Sequence, residues 1–190
     1  MTPLNGIILC GGNSKRMGAD KAFLDYKGQT FLARIIAQIQ PFCETVYLCG
    51  NKPSYAEFGL EVVPDLIPDS GALGGLYSGL HRSETPWNLV LSCDAPLVDS
   101  EIMESLINSI HPQLKAIHAQ TAKDAHPLVG CYHQNCLPIF EKAIKNGRLK
   151  LQPAVSACNP KTLEITGAQA SKLRNINTPE DYKSLLKLDS

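Results

Sequence analysis

The sequence carries no surplus of charge: 18 Lys plus Arg are balanced by 18 Asp plus Glu over 190 residues. The cationic excess that recruits nucleic acid or an anionic membrane is therefore missing, so neither is an expected partner. Positive charge is only local, at Lys15, Arg16 and Lys21. No apolar run approaches the roughly 18–20 residues of a membrane helix. The opening MTPLNGIILCGG has no basic leader and no apolar stretch of signal-peptide length, which makes the cytoplasm the expected location. The seven cysteines, at 10, 43, 49, 93, 131, 136 and 158, include no CxxC pair. Their scatter argues against a structural zinc site and for free, mostly buried thiols in a reducing compartment. There is no internal repeat, low-complexity tract or flexible linker. Apolar residues make up 44% and charged residues 19%, a globular composition, so a single domain spanning 1–190 is expected.

What is present is an alternation of short apolar runs and helical stretches. Leu4–Cys10 is a compact apolar run ending in Gly-Gly, as a buried parallel strand would. Thr30–Gln40 has helical spacing, with Phe31, Leu32, Ile35, Ile36 and Ile39 on one face and Pro41 as the stop. Thr45–Cys49, Leu60–Val63 and Trp87–Cys93 read as further strands. Leu73–His81 reads as a helix, and Asp99 or Ser100 caps another through Ile110. Ala116–Ala119 and Leu128–Tyr132 follow as strands, then a helix over Leu137–Asn146 closing at Gly147. Thr178-Pro179-Glu180-Asp181 opens a last helix ending near Leu188, with a Thr cap, Pro in the first turn and acids at the positive dipole end. This order predicts an α/β fold with a mainly parallel sheet flanked by helices. Ligands in such sheets bind at the carboxyl ends of the strands.

Three segments just beyond apolar runs carry candidate chemistry. In Leu9-Cys10-Gly11-Gly12-Asn13-Ser14-Lys15-Arg16-Met17-Gly18-Ala19-Asp20-Lys21, the paired glycines let backbone approach a ligand closely. Successive N–H groups there form an anion nest, Ser14 adds a hydroxyl, and Arg16 and Lys21 add charge. Together they suit a triphosphate and the charge that grows on departing pyrophosphate. The spacing matches neither GxxxxGK[ST] nor GxGxxG. In Ser92-Cys93-Asp94-Ala95-Pro96, Asp94 stands at a strand tip where one carboxylate can hold Mg²⁺ together with substrate phosphate oxygens. Asp99 and Ser100 already supply the next helix cap, which leaves Asp94 free. In Val63-Pro64-Asp65 and the following Gly71-Ala72-Leu73-Gly74-Gly75, Gly71 and Gly74 permit a flat base to approach backbone. Asp65 can accept hydrogen bonds from a base or ribose, and the adjacent N1–H and N2–H₂ donors of guanine suit a carboxylate.

These segments, in this order, resemble the molybdenum cofactor guanylyltransferases through most of the chain. LCGGNSKRMGADKAFL is close to that family's LAGG…RMG…DK signature, and PD…GALGGL resembles its GPLAG segment. CDAP matches the metal-binding strand end, Ala125-His126-Pro127 is similar to a His-Pro segment, and NINTPED matches the NxNTPE/D ending. The resemblance implies a single-domain, Rossmann-like nucleotidyltransferase fold. It implies transfer of GMP from GTP to the phosphate of molybdopterin, releasing pyrophosphate, with Mg²⁺ as cofactor. Leu9, Cys10, Gly11 and Lys21 would then touch GTP, Asp65 the guanine nucleotide, Asp94 the metal, and Asn175 and Asn177 the molybdopterin. A molybdenum-insertion protein and recipient molybdoenzymes would be partners. Cys10 replaces the usual Ala, and Gly71–Gly74 lacks the usual Pro. Cys49 stands where the family often has a nucleotide-contacting Asn, with Asn51 two residues on, and the sequence leaves open which of the two makes that contact.

The chemistry implied needs little from the protein. An acceptor phosphate oxygen is already nucleophilic at neutral pH, so alignment and charge neutralisation by Lys21, Arg16 and Asp94 are enough. No Ser–His–Asp arrangement is evident, and His126, beside Pro127, has a structural or positioning place. Within the same chemistry the alternatives are a cytidylyltransferase acting on molybdopterin or a transferase acting on a sugar phosphate. The resemblance implies GTP over CTP, since cytidylyl relatives tend to have Ala-Ala-Gly where Gly11-Gly12 stands and DQP-like strand ends where CDAP stands. A nucleotide-binding module without turnover would not need Lys21 and Asp94 together.

Overall fold

The computed structural model describes residues 3–10 and 20–187. Its centre is a seven-stranded sheet in the order β5-β4-β1-β6-β8-β7-β9. The strands are β1 Leu4–Leu9, β4 Thr45–Cys49, β5 Glu61–Val63, β6 Trp87–Ser92, β7 Ala116–Gln120, β8 Ala125–His133 and β9 Lys161–Glu164. A short hairpin, β2 Asp25–Tyr26 with β3 Gln29–Thr30, stands apart from the sheet. β1 pairs in parallel with β4 and β6, β4 with β5, and β7 with β9, while β8 runs antiparallel to both β6 and β7. The sheet is thus mainly parallel, as the alternating pattern predicts.

Side-chain alternation along the strands feeds two cores. On one face Ile8, Leu89 and Leu91 pack with Leu32, Ile35 and Ile39 of α1 (Phe31–Ile39) and with Ile102, Met103 and Leu106 of α3 (Ser100–Asn108). On the other, Ile7, Leu9 and Val90 meet Leu73, Leu76 and Leu80 of α2 (Gly71–Arg82), Phe140 and Ile144 of α4 (Leu137–Lys145), and Val155 of α5 (Leu151–Ser156). Burying each large aliphatic side chain contributes about 1.5–3 kcal/mol, which is why these periodic faces settle the layers. Caps fix the helix starts: Thr30 Oγ1 accepts from Ala33 N, and an Asp99 carboxylate oxygen accepts from Ile102 N. Asp99 is therefore the α3 cap, and Asp94 does no capping there.

After a four-residue helix, α6 (Gly167–Ala170), the chain returns to the sheet's carboxyl ends and enters α7 (Pro179–Leu186). The predicted terminus near Leu188 lies outside the described residues. Thr178 is the cap read from Thr178-Pro179-Glu180-Asp181, and Asp181 completes a capping box with it. Tyr26, Phe31, Ile176 and Leu185 make a small third cluster that seats α7 against the main body. No helix among the described residues is long and apolar enough to cross a membrane.

The strand order reverses at β1, with β4 on one side and β6 on the other. That reversal opens a crevice beyond the carboxyl ends of these strands. Backbone bonds Cys10 N to Cys49 O (2.9 Å) and Cys93 N to Leu9 O (3.0 Å) hold those ends side by side.

Candidate active site

The residues singled out from the sequence separate into two cavities with a charged pair between them in sheet order. Over β1, β4, β5 and the start of α2 lies a cavity of 440 Å³ lined by Leu9, Asn51, Asp65, Gly71 and Gly75 among others. Asn51 and Asp65 face each other there: Asn51 Nδ2 donates to Asp65 Oδ2 and Asp65 N donates to Asn51 Oδ1, both at 2.9 Å. Cys49 also contributes to this lining but is only 2% exposed, its Sγ packed in the core against Gly79. Burial, and then the Asp65 carboxylate, push its thiol up to about 12. Of the two residues, Asn51 is the one that presents a polar side chain to the cavity.

The glycines of this segment have different tasks. Gly71 has φ +57° with open space where a Cβ would stand, so the left-handed turn into α2 accounts for it. A Cβ on Gly75 would lie 3.2 Å from Leu9 Cδ2 and 3.7 Å from Asp65 Oδ1, on the cavity wall. A Cβ on Gly74 would stand 2.6 Å from Ser70 Cβ, so a bare residue is needed at the α2 entry. Ser70 makes no side-chain cap, and Gly71 and Ala72 of the first turn of α2 line this cavity, a helix start that suits an electronegative ligand.

Cys10 closes β1. Its thiol is buried and donates to Ile8 O, its N–H goes to Cys49 O, and its carbonyl accepts from Tyr55 Oη at 2.8 Å. Burial, reinforced by Cys93, Cys49 and Asp20, raises the thiol far above its ordinary range. The Cys10 side chain is therefore core at the end of β1 and is not part of the 440 Å³ cavity's lining. Gly11, Gly12, Ser14 and Arg16 lie outside the described residues, as do Lys15 and the rest of 11–19.

At the tip of β6 stands Asp94, its side chain 22% exposed and 3.9 Å from Lys21 Nζ. Lys21 opens a single 3₁₀ turn capped by Asp20, whose carboxylate accepts from Ala22 N at 3.1 Å. The Lys21 ammonium donates to Asn177 Oδ1 at 2.6 Å. Ile176 N donates to Asp94 O at 2.7 Å, so the strand tip and the segment before α7 are tied directly. Residues 21, 94 and 177 thus meet at one point. Among the described residues no group of three or more His, Cys, Asp or Glu side chains is placed to hold a metal. One partly exposed carboxylate beside an open crevice fits a magnesium that completes its shell with substrate phosphates and water, not one caged by protein.

Beyond Asp94 lies the other side of the crevice. Ser92, His126, Leu128, Leu151 and Asn175 line a 210 Å³ cavity. His126 and Asn175 also line an adjoining one of 750 Å³, with Lys123 and Arg174. Burial lowers the His126 imidazole below its usual range, partly offset by Asp124. Asn177 belongs to neither lining.

Sequence reasoning missed the support of this site. Tyr55, 1% exposed, is within 3.0 Å of Asp20 Oδ2 as well as bonded to Cys10, and Lys52 Nζ lies 2.8 Å from that same carboxylate oxygen. Burial, then Asp20, raises the Tyr55 phenol well above its usual range, so it stays a neutral donor. The pairing joins the start of the Lys21 turn to the ends of β1 and β4. Its only trace in the sequence is the Asp preceding Lys21.

Fold and comparisons together define the class: the protein is a nucleotidyltransferase. A family model described as the MobA-like NTP transferase domain matches residues 6–157, and the chain belongs to that family. A probable molybdenum cofactor guanylyltransferase of Flavobacterium johnsoniae is 34% identical over 185 residues, 97% of each chain. A molybdenum cofactor guanylyltransferase of Serratia proteamaculans is 30% identical over 182 residues, 94% of this chain and 91% of that one. The crystal structure of molybdopterin-guanine dinucleotide biosynthesis protein A from Archaeoglobus fulgidus superposes with a TM-score of 0.83 at 21% identity, covering 97% and 98% of the two chains. That last likeness shows the fold.

Proposed function

We propose that the protein transfers GMP from GTP to the phosphate of molybdopterin, giving molybdopterin guanine dinucleotide and pyrophosphate, with Mg²⁺ held at Asp94. The observation that carries this reading is the Lys21–Asp94 pair, 3.9 Å apart, standing between the Asn51–Asp65 cavity and the Asn175–His126 cavity. The likeness to the Flavobacterium and Serratia molybdenum cofactor guanylyltransferases supports guanylyl transfer as the reaction class.

In this reading an ionised acceptor phosphate oxygen attacks the α-phosphorus of GTP. The bond from that phosphorus to the oxygen bridging the β-phosphate breaks, and pyrophosphate leaves with the electron pair. Asn51, Asp65 and the start of α2 seat the nucleoside end. Lys21, with Arg16, offsets the charge that accumulates on the phosphates, and Gly11, Gly12 and Ser14 complete their cradle. Asn175 and its cavity receive the acceptor. Mg²⁺ at Asp94, when bound, supplies polarisation of the α-phosphate. No side chain is required as a general base, because the acceptor phosphate is ionised already. Receipt of the acceptor from a molybdenum-insertion protein and delivery to molybdoenzymes in the cytoplasm belong to the same proposal.

The test is product formation from molybdopterin with GTP, CTP, UTP or ATP, each with Mg²⁺ and with a chelator. Dinucleotide and pyrophosphate from GTP alone, lost on chelation, are expected. Preference for CTP, or full activity with chelator present, overturns the reading.

A further inference from the structure

Lys21 and Asp94 carry opposite charges yet stand 3.9 Å apart, while the ammonium makes its short hydrogen bond to a neutral amide, Asn177 Oδ1, at 2.6 Å. An ammonium only donates, so the amide oxygen must be the atom facing it. A charge-assisted bond of this length is among the stronger kinds in a protein. We propose that Asn177 is a positioning residue: it holds Lys21 off Asp94, which keeps the carboxylate open to the metal and the ammonium open to phosphate. This deepens the function proposed above and rests on it for the identity of the substrates.

Asn177 is suited to the task because its backbone is pinned from both sides. Asp181 Oδ2 accepts from Asn177 N at 3.0 Å and from Thr178 N at 2.9 Å, while Thr178 Oγ1 accepts from Asp181 N at 3.1 Å. Arg174 braces Asp181 at 3.3 Å. The preceding residue, Ile176, is fully buried among Tyr26, Phe31 and Leu185, and its N–H is bonded to Asp94 O. The same short segment therefore fixes the amide that holds Lys21 and the strand tip that bears Asp94. Asn175, two residues earlier, lines both acceptor-side cavities and Asn177 lines neither. The two asparagines divide the work: Asn175 faces the acceptor, and Asn177 faces Lys21. Without the amide, the flexible four-carbon stem of Lys21 is free to close on Asp94, and each charge quenches the other.

The experiment compares Asn177→Ala, Asn177→Asp, Lys21→Ala and the Asn177→Ala/Lys21→Ala double variant. Asn177→Ala should lower kcat about 10–100-fold, as for loss of an aligned electrostatic group, with the acceptor KM within about threefold. Asn177→Asp keeps an oxygen towards Lys21 and should recover most of the loss. The double variant should be no worse than Lys21→Ala alone, since the amide acts through the lysine. A rise in acceptor KM with kcat unchanged overturns the proposal, because it places Asn177 on the acceptor. So does failure of Asn177→Asp to rescue, as expected if a new carboxylate meets an anionic acceptor, and so do additive losses. The same cycle is read on binding of Mg²⁺–nucleoside triphosphate by calorimetry, with no acceptor present. If the wild type makes no dinucleotide, the proposed function fails, and the binding cycle still decides Asn177. There, equal affinity of wild type and Asn177→Ala beside a weakened Lys21→Ala overturns the positioning role.

Discussion

Asn51 and Asp65 hold each other through two reciprocal 2.9 Å hydrogen bonds that join the loop after β4 to the loop after β5. One bond uses the Asp65 carboxylate and the other its backbone N–H, so Asn51 fixes the carboxylate's direction as well as its place. Asn51→Ala should raise the Kd for GTP about tenfold, near the 1.4 kcal/mol of one ordinary hydrogen bond, with kcat nearly unchanged. Calorimetry on GTP with Mg²⁺ checks it. Cys49→Ala is the companion variant: its thiol lies in the core, so it should lower the melting temperature and leave GTP affinity intact. The reverse pattern would return the nucleotide contact to Cys49.

Asp94→Ala should reduce pyrophosphate release at least about 10²–10³-fold, as for loss of a group that organises transition-state charge. The fold should persist, because the strand tip is secured through Asp94 O and Ile176 N, atoms the substitution retains. Raising Mg²⁺ should not restore the rate. Retained turnover in a folded Asp94→Ala protein would remove the metal from this position.

The elements legible from sequence were those with an apolar period. Leu4–Leu9, Phe31–Ile39 and Trp87–Ser92 bury the residues their patterns assign. β9, Lys161–Glu164, was not foreseen because it is an edge strand with three of four residues exposed, held chiefly by backbone pairing to β7. α5 was hidden by its shortness and by Pro153, with only Ala154 and Val155 buried. α2 starts at Gly71, two residues before its first apolar contact, because a glycine-rich opening looks unlike a helix. Strand direction was illegible for β8: an apolar run reads the same in either sense, and its pairing with β7 shifts between His118 and Ala119, passing over Pro127, Leu128 and Val129. Asp94 and Asp65 stood out in the sequence because each lies two residues past an apolar run, β6 buried throughout and β5 with only Val63 buried. The grip of Asn177 on Lys21 spans 156 positions and depends on where α7 docks, which no local pattern records.

Burial lowers the pKa of His126, and of His133, below the ordinary 6.5, so both imidazoles fold in the neutral form. The unfolded chain takes up those protons first as pH falls. The stability these groups contribute is therefore complete above about pH 6.5 and is lost as pH drops towards their folded pKa values. Urea melts from pH 7.5 to 5.0 should show declining stability, and His126→Gln should flatten part of that decline. Parallel curves for wild type and variant would show that His126 does not carry a lowered pKa.

Gly79 lies where α2 crosses the sheet, and a Cβ there would stand 2.6 Å from Ile7 Cγ2 and 2.8 Å from Cys49 Sγ. Neither neighbour has room to withdraw, since Ile7 is fully buried and Cys49 is 2% exposed. Gly79→Ala should then cost about 1–3 kcal/mol by overpacking, and at ~2–4 °C per kcal/mol for a chain of this size the shift is easily read. The Cys49→Ala background removes one of the two clashing atoms, so the two changes should couple and the double variant should lose less than the sum. Gly130→Ala provides the contrast. Its Cβ would meet the Ile117 carbonyl oxygen at 2.3 Å, a backbone atom paired within the sheet, so no side-chain deletion should rescue it and its loss should exceed that of Gly79→Ala. If Gly79→Ala is neutral, or Cys49→Ala offers it no relief, then α2 does not rest on β1 and β4 at this distance. The cavity wall built by Gly75 one turn earlier would then have to be redrawn with it.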